Sequence, residues 1–352
     1  MQTTKTRLIH DLGLDNLTDY CKSENWQAFR AKQIWRWLYV QQATEWDSMT
    51  NIPAEIREQL ASVFQLNAVS ADSVETGTDT TRKILAELTD GDSVEEVLIP
   101  AGPRRTVCIS SQVGCKFACT FCASGQAGFH RNLSAGEMAG QVLLAARAFG
   151  DNPTNVVYMG IGEPFDNYDA VLKSVRIINH PEGLGIGARR ITISTCGLIP
   201  EITRLSGEGI QVELSVSLHA PDEALRSKLM PINKRYPIKE LLPACREYTR
   251  TTGRIVTFEY TLIRSVNDSE DQARGLARLL APLKCRVNLI PLSPVDEFSG
   301  RSSEQNTADM FMEKLADEGI NATARQSRGG SVNAACGQLR FGGKEAGTTD
   351  GS

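Results

Sequence analysis

Apolar positions in the first part of the chain recur at helical spacing. Arg30-Ala-Lys-Gln-Ile-Trp-Arg-Trp-Leu38 puts Ile34, Trp35 and Leu38 on one helical face. Pro53 opens a second amphipathic stretch, Ala54 to Phe64, with Ile56, Leu60 and Phe64 inward. The period then changes. Arg82 to Leu88 and Val94 to Ile99 read as strands, and the Thr89-Asp90-Gly91 between them marks a hairpin, because Asp-Gly tolerates the positive φ such turns need. From about residue 104 short β-rich runs alternate with helical ones. Strands are predicted at 106–110, 155–159, 190–194, 212–217, 256–262 and 286–290, and helices at 135–149, 170–179, 200–205, 240–252, 269–280 and 307–318. Six such alternations predict an α/β architecture: a parallel sheet covered by helices, with chemistry at the carboxyl ends of the strands.

Composition narrows the setting. The 352 residues carry a formal net charge of −4, with 41% hydrophobic and 23% charged side chains, an ordinary balance for a soluble globular protein. Any nucleic-acid surface must therefore be local. No apolar run approaches the roughly 18 residues of a membrane span. The N-terminus lacks the apolar core and small-residue cleavage site of a signal peptide, so a cytoplasmic protein is expected. Nine cysteines, odd in number and with three inside eight positions, read as metal or redox chemistry rather than a disulfide framework.

Those three are Cys115, Cys119 and Cys122, in the loop after the first strand of the β/α series. Thiolates suit iron–sulfur clusters or zinc. A structural zinc site favours two Cys-x-x-Cys pairs, and this chain has no second one; a zinc knuckle would need His130 or a distant cysteine. Three ligands on a four-iron cluster leave one iron open for S-adenosylmethionine (SAM). The next strand ends in Gly160-Ile-Gly162-Glu163-Pro164, where glycine lets the backbone approach a ligand and Glu163 can accept hydrogen bonds from an ammonium group. Ser194, Ser217 and His219 close two further strands; on spacing alone they cap helices or sit in the core as readily as they bind a ligand.

The Cys-x-x-x-Cys-x-x-Cys spacing after a first barrel strand resembles the radical SAM superfamily, and Phe121 fits its aromatic preference. More specifically, Cys108–Cys115, Gly128–Leu133, Ser217–Ala220, Met230–Asn233, Asn288–Pro291 and Ala335–Leu339 resemble the RlmN/Cfr family of RNA adenine methyltransferases. The likeness reaches back through Val94-Glu95 and the Phe29–Trp37 helix, in the family's order and spacing.

The resemblance implies a fold: a partial (β/α)6 radical SAM barrel over residues 104–341. An N-terminal helical accessory, RNA-binding domain (1–70), a β-hairpin extension (71–103) and a disordered tail (342–352) complete it. It also implies cofactors, a 4Fe-4S cluster on Cys115, Cys119 and Cys122 and SAM against Gly162, Glu163, Ser194, Ser217, Leu218, His219 and Ser293. In this family one SAM methylates a C-terminal cysteine, here Cys336, and a second is cleaved at the cluster to a 5′-deoxyadenosyl radical. That radical takes hydrogen from the methyl group, and the resulting thioether radical adds to an adenine carbon. Cys108 then releases the base through a transient disulfide, with Glu95 as proton acceptor. Adenine carbons 2 and 8 are electrophilic, so ordinary methyl transfer to them is closed. The implied partners are 23S ribosomal RNA, transfer RNA and a low-potential electron donor such as flavodoxin or ferredoxin, for a monomer.

The residues themselves qualify this picture. Arg325 and Arg328 near Cys336 predict a thiolate there. Cys108, read alone, is a core strand residue, and Cys21, Cys196, Cys245 and Cys285 have no matched role. Arg30, Lys32, Arg36, Arg104, Arg105, Lys116, His130, Arg131, Lys234 and Arg235 are candidates for RNA phosphate. The family usually has Asn at Ser293, and Asp where this chain has Ser331 and Asn333. Pro164 after Glu163 resembles the carbon-2 branch; the carbon-8 branch tends to have Ala there. The rival readings are carbon-8 methylation and a non-catalytic iron–sulfur or zinc protein that binds RNA.

Overall fold

The computed structural model describes residues 7–342. Three helices, α1 (Leu14–Ser23), α2 (Phe29–Tyr39) and α3 (Ala54–Val63), form the N-terminal unit. Ile34, Trp35, Leu38, Leu60 and Phe64 are buried as the periodicity predicts, while Ile56 is only half-buried. Arg7–Leu8 pairs in parallel with Phe64–Gln65 and closes this unit.

One eleven-stranded sheet runs through the rest. Four strands, β1 (Val69–Thr76), β2 (Arg82–Leu88), β3 (Ser93–Ala101) and β4 (Arg104–Cys108), pair antiparallel in sequence. From β4 onward the pairing turns parallel, through β5 (Asn155–Tyr158), β6 (Ile191–Thr195), β7 (Glu213–Ser217), β8 (Val256–Leu262), β9 (Cys285–Pro291) and β10 (Asn321–Ala324). Helices α4 (Ala135–Phe149), α5 (Tyr168–Asn179), α6 (Ile199–Ser206), α7 (Glu223–Leu229), α8 (Ile238–Thr252), α9 (Glu270–Leu280) and α10 (Gln305–Asp317) connect them. The sheet is not closed: β10 and β1 are its free edges.

The expected hairpin is therefore part of a longer antiparallel run continuous with the barrel sheet, since Val97 pairs with Cys108 and Thr106 with Asn155. Strand β1 shows no apolar alternation, because all its residues but Val69 are exposed. Phe341–Gly342 forms β11, antiparallel to β3 through Phe341↔Val94. Gly342 thus belongs to the sheet and not to the expected disordered tail; 343–352 lie outside the described residues. Among those described, no helix is long and apolar enough to cross a membrane.

Candidate active site

Unusual residues gather at the carboxyl ends of the parallel strands. Cys115, Cys119 and Cys122 follow the short strand Gln112–Gly114, which pairs antiparallel with Phe129–Asn132. They line one cavity with Gly162, Glu163, Ser194, Ser217, His219, Glu259, Ser293, Arg325 and Cys336. Burial pushes the Cys115 thiol up to about 12 and raises Cys119 and Cys122 as well, with the neighbouring sulfurs adding to the first two. Such thiols need a metal to become thiolates. Among the described residues no three His, Cys, Asp or Glu side chains are drawn together tightly enough for a single metal ion. The three cysteines share one cavity wall and could hold a group larger than a single ion.

The cavity floor is made by close backbone approach. Gly162 has φ 104°, and a Cβ there would lie 2.6 Å from Gln112 Cβ, so only glycine fits. Gln112 Oε1 accepts from the Glu163 N–H at 2.8 Å. The Glu163 carboxylate is buried, which raises its pKa, and accepts from the N–H groups of Phe165 (3.0 Å) and Cys196 (2.7 Å). It therefore arrives already oriented, with lone pairs left over.

His219 sits at φ 56° with its ring edge-on to Phe121, 4.9 Å between centroids. Burial lowers its pKa to about 3, so the imidazole is neutral. Its Nδ1 accepts from the Thr261 N–H at 2.9 Å, which assigns the ring proton to Nε2. Leu218 is buried and lies outside the cavity lining; its N–H donates to the Glu259 carbonyl at 3.0 Å.

Two buried charged residues at the site are not marked by the sequence. Arg226 on α7 is fully buried and donates to the carbonyls of Cys196 (2.8 Å) and Ser217 (3.1 Å), stapling the ends of β6 and β7. It also donates to Asn233 Oδ1 at 2.8 Å, which explains Met230-Pro-Ile-Asn233: the turn carries the arginine's acceptor. Glu259 on β8 is buried, its Oε1 accepting from Ser215 (2.9 Å) and Asn288 (3.0 Å), while Oε2 has no hydrogen-bond partner. Alternating position on β8 was the available signal, but a lone Glu in an apolar strand does not reveal its partners.

A second cavity of about 370 Å³ adjoins the first and is lined by Val97, Ile99, Arg104, Cys108, Met159, Arg325, Arg328 and Cys336. Cys336 lines both cavities. All nine cysteines are free thiols, and no Cys108–Cys336 disulfide is formed. Burial pushes Cys108 up to about 12. The expected Cys336 thiolate is corrected: the sulfur opens onto the cavities, yet desolvation by the surrounding protein raises its pKa, with Arg325 pulling the other way.

The Cys336 loop is fastened from several sides. Gly329 N–H donates to Asp79 (2.9 Å), Ser331 Oγ accepts from the Thr78 N–H (3.1 Å), and Gly337 O accepts from the Ala123 N–H (2.8 Å) beside the cysteine cluster. Ser331 and Asn333 thus serve the loop's shape, the latter at φ 50°. Glu95 lies on the β3 face that carries Val97 and Ile99 but outside both cavity linings. Its carboxylate is held by Lys83 at 3.0 Å and by the Arg340 N–H at 2.8 Å.

Several basic candidates are committed within the protein. Arg131 is tied to Asp90, Asp92 and Glu137, His130 to Asp92, Lys116 to Asp166, Arg105 to Asp151 and Lys32 to Glu182. Arg131 in particular, gripped by three carboxylates and only a quarter exposed, is a structural cation.

Comparison with known proteins agrees with this geometry. Residues 109–277 match the profile of the Radical SAM superfamily, and residues 9–66 that of the ribosomal RNA large subunit methyltransferase N-terminal domain. A probable dual-specificity RNA methyltransferase RlmN of Geobacillus kaustophilus is 47% identical over 335 residues, 94% of this chain and 92% of its own length. One of Natranaerobius thermophilus is 45% identical, with 94% and 97% covered. A solved radical SAM methyltransferase from Sphaerobacter thermophilus superposes with a TM-score of 0.92 at 47% identity, over 95% of this chain and 99% of that one.

Proposed function

Because the chain belongs to the RlmN family of radical SAM RNA methyltransferases, we propose that it methylates carbon 2 of an adenine in 23S ribosomal RNA, and in transfer RNA as well, with the methyl group carried on Cys336. The observation that carries this reading is that Cys336 lines both cavities. A sulfur there takes a methyl group on one side and presents it on the other. The relatives' dual specificity supports two RNA classes, and Pro164 after Glu163 favours carbon 2 over carbon 8.

Cys115, Cys119 and Cys122 would hold a 4Fe-4S cluster. Glu163, Ser194, Ser217, His219 and Ser293, with backbone at Gly162, would hold SAM, while Leu218 acts only through the bond its N–H makes to the Glu259 carbonyl. Bound there, cluster and SAM supply the hydrogen-atom abstraction that an unactivated methyl group requires, given an electron from a donor such as flavodoxin or ferredoxin. The residues do the rest. His219 offers Nε2–H as a fixed donor. Cys108, in the second cavity, is the thiol that attacks the sulfur of Cys336. The sulfur–sulfur bond forms as the sulfur–methylene bond breaks, the thiol proton goes to the freed methylene carbon, and the electron left on the ring returns to the group that the three cysteines would hold. Glu95 accepts the proton from the ring carbon, and does so by giving up Lys83 or the Arg340 N–H. The unit over residues 1–70 grips RNA so that the base can be unstacked.

Mass spectrometry of digested RNA tests the reading. The wild-type protein should yield 2-methyladenosine, Cys336→Ala none, and Cys108→Ala an RNA that stays linked to protein. Product from Cys336→Ala would reject the carrier role, and 8-methyladenosine would move the reading to the other carbon. A colourless protein holding one zinc after anaerobic purification would remove the radical chemistry.

A further inference from the structure

Six residues line both cavities: Met159, Ile290, Pro291, Ser293, Arg325 and Cys336. Arg325 is the only charged one. It follows β10, and its backbone N–H donates to the Leu289 carbonyl at 2.8 Å, which fixes where the side chain leaves the sheet. Two other arginines line the second cavity, but each is already engaged. Arg104 Nε donates to Thr106 Oγ1 at 3.1 Å, and Arg328 Nη1 to the Pro100 carbonyl at 3.1 Å. Among the described residues the Arg325 guanidinium has no hydrogen-bond acceptor; the Glu259 carboxylate stands 3.9 Å away. Glu259 is itself fixed by Ser215 and Asn288. It therefore steadies the cation without consuming its donors.

We propose that Arg325 is a catalytic residue for the base: its guanidinium donates a hydrogen bond to a ring nitrogen beside the adenine carbon that is methylated. The inference rests on the proposed function and on the adenine entering the second cavity, where Cys108 and Cys336 both line the wall. A guanidinium only donates, and the two ring nitrogens flanking carbon 2 only accept. A carbon radical next to sulfur is electron-rich and adds faster to an electron-poor ring. On addition one carbon–carbon bond forms, no atom leaves, and the unpaired electron passes into the ring, with density on the flanking nitrogens. A donor at one of them draws density away before addition and stabilises it afterwards, keeping its own proton throughout. Val97, Ile99 and Val157 line the wall beside it, and an apolar wall strengthens such a bond.

The test separates the two half-reactions in the reconstituted full-length protein. Arg325→Gln should still reach full methylation of Cys336, read at completion by intact-protein mass, although more slowly because the arginine lowers that thiol's pKa. The RNA step is then timed from the methylated protein. The variant should form methylated RNA roughly ten- to hundredfold more slowly, the range for a charged hydrogen bond, and Arg325→Lys should recover part of the rate. RNA with 1-deazaadenine or 3-deazaadenine at the target should slow the wild type by a similar factor for one analogue. Arg325→Gln should slow no further on that same analogue. Wild-type rates in Arg325→Gln, loss of the methyl group on Cys336, or additive slowing on both analogues would overturn the inference. A wild-type protein that makes no methyladenosine overturns the proposed function instead.

Discussion

At the scale of single residues, burial sets protonation and so a pH dependence. Burial lowers His219 to about 3 and His10 to about 4, whereas an unfolded histidine titrates near 6.5. Between those values the unfolded chain binds protons that the folded chain refuses. Stability attributable to these groups is therefore complete above about pH 6.5 and is lost as pH falls, by up to about 1.4 kcal/mol per pH unit for each histidine. Urea unfolding between about pH 7 and pH 5 should show this slope, and His10→Gln should remove one histidine's share; an unchanged slope would reject the attribution. The same scale shows what was legible. Cys115, Cys119, Cys122 and Glu163 announce themselves by spacing and strand-end position. Arg226 and Glu259 do not, because their burial depends on acceptors and donors on other strands. A charged letter alone reads as surface.

Among the elements, the β/α alternation is legible from the changing apolar period, and two of its helices carry their own start signal as well. Ser134 and Glu137 form a capping box on α4, and Ser269 and Gln272 one on α9. Ser134→Ala should lower the unfolding free energy by about 1 kcal/mol, with the midpoint of chemical denaturation as the check and no change expected in its slope. Elements without a clear apolar period are not legible, even where a cap is present, as Asp222 is for α7. Strand β1 is set by pairing with β2 and not by apolar alternation. Helix α7 is only seven residues long, and it earns its place through Arg226. The Thr89-Asp90-Gly91 turn was clear locally, while the fusion of its strands to the barrel sheet is a tertiary fact.

For the whole molecule, the Cys336 loop is a tie between parts distant in sequence. Asp79 and Thr78 hold one end, Ala123 the middle, and Glu95 with β3 the other end. Asp79→Ala should speed amide hydrogen exchange across residues 329–334 and leave the parallel strands protected. Uniform loosening of the whole fold would show instead that Asp79 acts globally.

The docking of Phe341–Gly342 onto Val94–Ser93 has a further meaning in time. A chain emerging from the ribosome presents Cys115, Cys119 and Cys122 long before Cys336, and the strand that closes the Cys336 loop is made after both. The order of synthesis thus keeps the three-cysteine wall apart from the Cys336 sulfur until the parallel strands between them have been made. A chain cut short before Cys336 lacks the sulfur that the two cavities share.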